Sequence, residues 1–281
     1  MTAISIQVEG QNGLTWARWI ALATEVEELG FAGLFRSDHF TNARGPALDS
    51  LELIVSLTWL AANTRRIHFG SLVAPLSFRD PRMLARQAAA LDDLSGGRMI
   101  LGLGAGWQER EHATFGYALG DVPTRMARFA EGLDLVTRLL RDEEPVTFDG
   151  EYFQTREARV LPRPERLGGP RLLIGGNGAK RTLPLAARYA DVWNALFMPA
   201  EGFHALSMQL DELLHAAGRK SEEVRRTIML PLSFDPRDEG EARRQITAYS
   251  EAGADELIFQ WLALDDLEGL HAFARAALAQ G

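Results

Sequence analysis

The alternation of strand and helix signals predicts a (β/α)8 barrel with a small insertion after the fourth helix. Three observations carry this reading. Eight apolar strand segments, each followed by helical periodicity, fit into 281 residues, the count of an eight-unit barrel. No G-x-G-x-x-G turn follows the first strand, where Gly10-Gln11-Asn12-Gly13 is a plain turn; an open doubly wound nucleotide-binding sheet leads one to expect that fingerprint there. Finally, the run from Met99 to Gly106 is an apolar segment that ends in alternating glycines. It is too short for an ordinary helix, and it leaves no side-chain bulk where a strand opens onto a loop.

The elements follow in order. Ile4–Val8 is the first strand, and Trp16–Leu29 is its helix, stopped by Gly30 in the usual C-terminal position. Gly33–Asp38 is the second strand and Leu51–Ala62 the second helix; Ile67–Ala74 is the third strand. Its helix begins at Pro81, whose missing N–H is harmless in a first turn, and runs to Leu94. Met99–Gly104 is the fourth strand and Arg125–Arg141 the fourth helix. Residues 145–153 read as two short β runs around Asp149-Gly150, a hairpin signal. A Pro/Arg-rich connection returns the chain to a fifth strand, Arg171–Gly175, and a helix, Lys180–Tyr189. Strands six to eight are Asp191–Leu196, Thr227–Phe234 and Glu256–Trp261, with helices over 201–217, 239–252 and 265–279. The insertion, about 143–170, is too small for a domain, and no linker divides the chain, so residues 1–281 are expected to form one domain.

Composition narrows the partners. The formal net charge is -8 and no Lys/Arg run occurs, which argues against nucleic acid. There are no cysteines, hence no disulfide or thiolate metal site, as suits a reducing cytoplasm. The N-terminal segment lacks the charged and apolar regions of a signal peptide, and no apolar run is long enough to cross a bilayer. The expectation is a cytoplasmic protein acting on a small molecule, with no membrane and no metal.

In a (β/α)8 barrel, chemistry sits where strands end and βα loops begin. Those positions hold Asp38-His39-Phe40, Leu72-Val73, Gly104-Ala105-Gly106-Trp107, Gly175-Gly176-Asn177-Gly178 and Trp193-Asn194. The glycine-rich turn at 175–178 feeds a helix N-terminus, and Lys180 and Arg181 sit in its first turn, where cations are unfavourable unless an anion is present. This points to a phosphate site rather than a simple capped turn. His39 ends a strand beside a carboxylate, and an imidazole titrates near neutrality, which outweighs the ordinary structural reading of a lone histidine. Glu109 and Glu111 read at least as well as a solvated first helical turn as they do as catalysts. No histidine pair has metal-ligand spacing. Phe40, Trp107 and Trp193 could wall a pocket.

Ser37-Asp38-His39-Phe40, Gly70-Ser71-Leu72-Val73-Ala74-Pro75, Leu94-Ser95-Gly96-Gly97-Arg98, Gly102-Leu103-Gly104-Ala105-Gly106-Trp107 and Ile174-Gly175-Gly176-Asn177-Gly178 occur in this order, with Ala190-Asp191-Val192-Trp193-Asn194 after them. Together they resemble the bacterial luciferase-like monooxygenase superfamily, and are most similar to its branch that uses the deazaflavin coenzyme F420. The resemblance covers nearly the whole chain. It implies a barrel, usually a homodimer, that binds a flavin or deazaflavin across its mouth. It implies His39 as the acid/base group, with Asp38 beside the ring and a non-proline cis peptide at Leu72-Val73 behind it. Gly104, Ala105 and Gly106 would flank the cofactor, and Gly175, Gly176, Gly178 and Ala179 would hold its phosphate. The deazaflavin-dependent glucose-6-phosphate dehydrogenases of this group carry a catalytic glutamate where this chain has Trp107, so sugar-phosphate oxidation is not implied.

The expected activity is hydride transfer between coenzyme F420 and a small organic substrate. An FMN-dependent monooxygenase using oxygen would need nearly the same surroundings. A non-catalytic flavin carrier is disfavoured by Asp38-His39. A metal-dependent barrel hydrolase is disfavoured by Gln7-Val8-Glu9, which offers no His-x-His after the first strand.

Overall fold

The computed structural model describes residues 2–278. The chain runs β1 (Ala3–Val8), α1 (Trp16–Leu29), β2 (Gly33–Arg36), α2 (Leu53–Asn63), β3 (His68–Ser71), β4 (Ala74–Pro75) and α3 (Pro81–Ser95). It continues through β5 (Met99–Gly104), α4 (Glu109–Phe115), α5 (Val122–Arg141) and a hairpin, β6 (Val146–Asp149) with β7 (Gln154–Ala158). The last part is β8 (Arg171–Gly175), α6 (Thr182–Tyr189), β9 (Val192–Leu196), α7 (Ala200–Ala216), β10 (Arg225–Pro231), α8 (Glu239–Glu251), β11 (Glu256–Gln260) and α9 (Leu267–Leu278).

The strand order β3-β2-β1-β11-β10-β9-β8-β5 returns to β3 through Phe69–Met99 and Gly70–Ile100. The sheet is parallel and closed: a (β/α)8 barrel in which β3 and β4 share one position. Strand periodicity separates two apolar populations. Outward residues such as Ile4, Ile6 and Val8 join the layer under the helices. Phe35, Leu72, Ile100, Leu173, Val192, Met229 and Ile258 fill the inside. The interior is a packed core rather than a pore.

The N-terminal end of the barrel is closed by charge. Glu256 is buried and pairs with His68 Nε2 at 2.7 Å and Arg225 at 3.4 Å, and accepts a hydrogen bond from Ser5. Helix starts use local caps. Thr15, Asp80 and Asp121 accept N–H groups of the first turns of α1, α3 and α5.

The structure departs from the sequence reading at several boundaries. The third strand breaks after Ser71: the Leu72–Val73 peptide is cis, as the resemblance implies, and pairing resumes at Ala74. The second strand stops at Arg36, because the chain then turns to place residues 37–40 over the barrel mouth. The fourth helix starts three residues early, where Asp121 caps it through the Thr124 N–H at 2.8 Å. A short helix, α4, precedes it. In the hairpin, Tyr152 and Phe153 lie in the turn rather than in a strand. Glu131 on α5 accepts the N–H groups of Glu151, Tyr152 and Phe153 at 2.6–2.9 Å and draws them out of the ladder. The final helix is described to Leu278; residue 279 of the predicted helix lies outside the described residues, as do residues 1, 280 and 281 of the expected domain. No helix among the described residues is long and apolar enough to cross a membrane.

Burial pushes the Glu256 carboxyl up, but His68, Arg225 and Ser5 outweigh it and hold the group below its ordinary value. Its stabilisation is therefore complete above the unfolded value of about 4.3 and is lost as pH falls through the lower folded value. Glu256→Gln should cost about 3–5 kcal/mol near neutral pH. The deficit should shrink below about pH 4; urea unfolding of both proteins across that range measures it.

Candidate active site

The barrel's C-terminal mouth opens into a cavity of about 680 Å³. Its apolar walls are Leu72, Val73, Ala105, Leu196 and Met229; Trp107, Phe197 and Leu262 stand at the opening. The polar lining includes His39, Glu9, Glu111, Arg44, Asn194 and Gln260.

The wall at β3–β5 depends on glycine. A Cβ on Gly102 would lie 2.0 Å from the Ser71 carbonyl oxygen. The Ser71 hydroxyl accepts the Gly102 N–H at 3.1 Å and donates to the Gly102 carbonyl at 2.7 Å. It thus takes over the strand ladder where the backbone leaves for the bulge. Val73 then projects over β5, and a Cβ on Gly104 would meet its Cγ2 at 2.4 Å. The glycines at 102 and 104 serve the approach of β3 and the bulge; the wall that results is backbone-lined at Gly104–Gly106.

His39 sits in the mouth with its Nδ1 3.0 and 3.1 Å from the two oxygens of Glu111. Among the described residues no protein group engages Nε2. Trp107, 59% exposed, stands edge-on to the imidazole at 5.4 Å. Glu111 is 1% exposed and also accepts the Phe40 N–H at 3.1 Å. Burial alone would push the His39 imidazolium down; the Glu111 hydrogen bond and charge outweigh it and raise the pKa above the ordinary value. Helix α4 clamps both flanking loops. Glu111 holds residues 39–40, while the next residue, His112, bonds Ser77 Oγ at 2.7 Å and the Gln108 carbonyl at 2.7 Å.

Other expected site residues lie elsewhere. Asp38 is absent from the cavity lining: it is 3% exposed and held by both forks of Arg79 at 2.6 and 2.7 Å. Burial pushes its carboxyl up against the pull of Arg79, and Arg79, which also pairs with Glu52 at 2.7 Å, stays charged. Asp38 thus anchors the turn from behind rather than lining the cavity, because consecutive residues on this extended segment face opposite ways. Phe40 packs against Phe78 at 4.6 Å and Phe115 at 5.0 Å, beside the cavity rather than in it. Trp193 is fully buried on the outer face of β9, stacked on Phe203 at 5.7 Å, with its indole N–H donating to the Gly176 carbonyl at 3.0 Å. Its neighbour Asn194 has the inward position. Leu72, Val73, Gly104, Ala105, Gly106, Trp107 and Gly175 do line the cavity.

Gly176, Gly178 and Ala179 continue from that wall into the loop before α6. The Gly178 carbonyl accepts the N–H groups of Arg181, Thr182 and Leu183 at 3.2, 2.8 and 3.0 Å, so the start of α6 is already satisfied. Among the described residues the N–H groups of Asn177, Gly178, Ala179 and Lys180 have no partner. Any anion is therefore met by the loop rather than by the helix end.

Sequence reasoning assigned no site role to Glu9 or Gln260, listed Asn194 only as a strand-end position, and left Glu111 open between a solvated first turn and a catalyst. For the strand residues the signal was parity: Ser5, Gln7 and Glu9 alternate with Ile4, Ile6 and Val8, which marks an inward polar row. Glu111 gave none, since its burial depends on where α4 docks.

Two outcomes test this geometry. Gly104→Ala should destabilise the fold by about 1–3 kcal/mol through overpacking, and Val73→Ala should recover part of the loss; chemical denaturation of the four proteins of the cycle measures the coupling. Glu111→Gln should lower the His39 pKa, read by NMR titration of its ring protons. The pair's stabilisation is complete below the unfolded value of about 6.5 and is lost as pH rises through the raised folded value.

The family model described as luciferase-like monooxygenase matches residues 1–279. An F420-dependent glucose-6-phosphate dehydrogenase of Kineococcus radiotolerans is 33% identical over 222 residues, spanning 76% of this chain and 63% of that protein. A 4-hydroxyprotoasukamycin monooxygenase of Streptomyces nodosus subsp. asukaensis is 34% identical over 177 residues, spanning 63% of this chain and 46% of that one. The chain thus spans less than two thirds of the length of these relatives. Among solved structures, an F420-dependent secondary alcohol dehydrogenase with an F420-acetone adduct superposes with TM-score 0.85 at 19% identity, over 98% of this chain and 99% of that one. The F420-dependent tetrahydromethanopterin reductase of Methanopyrus kandleri gives 0.79 at 16% identity, over 99% of each. These likenesses agree with the closed barrel, and the family match extends through every element that builds its mouth: the chain belongs to the luciferase-like monooxygenase family.

Proposed function

We propose that this chain is a coenzyme F420-dependent oxidoreductase that transfers a hydride between the deazaflavin and a small organic substrate. The observation that carries the reading is the His39–Glu111 pair set beside an apolar, backbone-lined cavity. The cavity fits a flat heteroaromatic ring: its volume is in the range of ligand sites, and Leu72, Val73 and Ala105 offer an apolar bed beside the cavity-lining backbone of Gly104–Gly106. The free N–H groups of residues 177–180 suit a phosphate on the ring's side chain, with Gly175, Gly176, Gly178 and Ala179 forming the approach. The relatives and barrel neighbours named for F420 support this choice.

When bound, the deazaflavin supplies a hydride donor or acceptor at its C5 carbon. The protein's own part is positioning and proton handling. Glu111 fixes the His39 ring through Nδ1, so Nε2 is the atom that gives or takes a proton at the reacting centre. Leu72 and Val73 back the ring, and Trp107 shields His39 from water. The Kineococcus relative's name specifies glucose 6-phosphate; here Trp107 stands where the resemblance implies a glutamate in that branch, and Arg44 is the one lysine or arginine of the described cavity lining. We therefore assign a substrate without a phosphate.

The reading includes one domain, a cytoplasmic location and a homodimer. Val55 and Met83, exposed on the packed helices α2 and α3, support an apolar face between subunits. A second reading, an FMN-dependent monooxygenase using oxygen, draws on the Streptomyces relative.

Parallel titration of the apoprotein with F420 and FMN separates the two; tight FMN binding without F420 binding would overturn the first. With F420 bound, His39→Ala should lower kcat by roughly 10²–10⁴ and leave cofactor affinity nearly unchanged. Full activity of that variant across an acceptor panel would remove His39 from the mechanism.

A further inference from the structure

Glu9 directly follows β1 and lines the same cavity as His39. Its environment differs from that of the other carboxylates near the mouth. Asp38 is matched by Arg79 and Glu111 by His39. Glu9 has three neutral partners: its Oε1 accepts the amide N–H groups of Gln7 at 3.1 Å and Gln260 at 2.8 Å, and its Oε2 accepts that of Gln11 at 2.9 Å. Gln7 is fully buried, and its own Oε1 has no partner. The protein tolerates that unsatisfied oxygen in an arrangement where the amide N–H serves Glu9 and the Val8 carbonyl. Two glutamines on neighbouring strands, Gln7 and Gln260, and a third from the turn after β1, Gln11, therefore converge on one carboxylate and fix its direction, and among the described residues it has no ion-pair partner.

An ionised carboxylate only accepts hydrogen bonds and has about four lone-pair sites. Three amides leave capacity for one more donor, and the open side is the cavity. Arg44, the one lysine or arginine of the described lining, lies exposed on the loop after His39.

We infer that Glu9 is a specificity-determining residue: its carboxylate receives the polar head of the substrate and selects a hydrogen-bond donor, an alcohol or a protonated amine, over a carboxylate or phosphate. The apolar remainder of the substrate would rest among Trp107, Phe197 and Leu262, which are 59%, 51% and 51% exposed at the opening. The inference deepens the oxidoreductase reading by naming a substrate class, and rests on it only for the identity of the cofactor.

The probes are phenethylamine, phenethyl alcohol and phenylacetate, which share a ring and differ in the head group. Their affinities are measured by calorimetry at neutral pH, on the protein alone and after F420 addition. The amine should bind roughly tenfold or more tighter than the acid, as a charge-assisted hydrogen bond predicts, with the alcohol between. Glu9→Gln keeps the shape and removes the charge, and should bring amine and acid to within about threefold of each other; circular dichroism checks its fold. Equal binding of amine and acid to the native protein overturns the inference, whatever the variant does. So does an unchanged preference in Glu9→Gln, or no binding of any probe. Amine preference without F420 binding would sustain the role of Glu9 and overturn the cofactor reading instead.

Discussion

The Ser71–Gly102 contact is the constraint on which the mouth of this barrel depends. At this seam β3 and β5 come too close for any side chain on Gly102, and the ladder that closes the barrel at Gly70–Ile100 cannot continue. The Ser71 hydroxyl supplies both hydrogen bonds that the backbone would have made to Gly102. A buried N–H and C=O are satisfied, and the chain is released into the Leu72–Val73 bulge. From there the wall follows by contact. Val73 lies over Gly104, Pro75 pairs again with Gly104, and the Leu76 N–H returns to the Gly104 carbonyl at 2.9 Å. One hydroxyl thus converts the third barrel strand into an apolar shelf.

Charge is distributed over the mouth with the same economy of partners. Arg36, buried beneath the turn, has its pKa lowered to about 10, chiefly by burial. It donates to Ser56 Oγ and the Leu51 carbonyl at 2.8 Å each, tying β2 to the start of α2. Arg79 bridges Asp38 and Glu52. Both arrangements pin the segment that delivers His39 from behind, through groups absent from the cavity lining. Helix α4 completes the frame from the front through Glu111 and His112. Buried ions of this kind are costly unless hydrogen-bonded on all sides; here they determine where a loop goes rather than how stable the barrel is. Glu9, set apart from this pairing, lines the cavity with amide partners and, among the described residues, no ion-pair partner.

Much was legible in the chain itself. The barrel follows from eight alternations of period and from the glycine and proline punctuation that bounds them, because apolar periodicity records which faces are buried before any partner is known. His39, the Leu72–Val73 wall and the glycines of β5 were also legible, since they stand at strand ends and a parallel barrel gathers all such ends at one face.

What tertiary structure alone decided was which way the side chains at those ends point and what packs on them. Asp38 and His39, or Trp193 and Asn194, are adjacent in sequence, and a shift of one residue exchanges cavity for outer layer. The strand pairing of β9 with β8 and β10 sets that parity, and it sends Trp193 outward against Phe203. Glu111 became a buried partner because α4 docks over a strand end some seventy residues earlier in the chain. Gln7, Gln11 and Gln260 meet at Glu9 because the first and last strands are neighbours in a closed barrel. The sequence by itself determined the barrel and the rim on which chemistry sits; closure of the sheet, by joining residues far apart in the chain, decided which groups share the cavity.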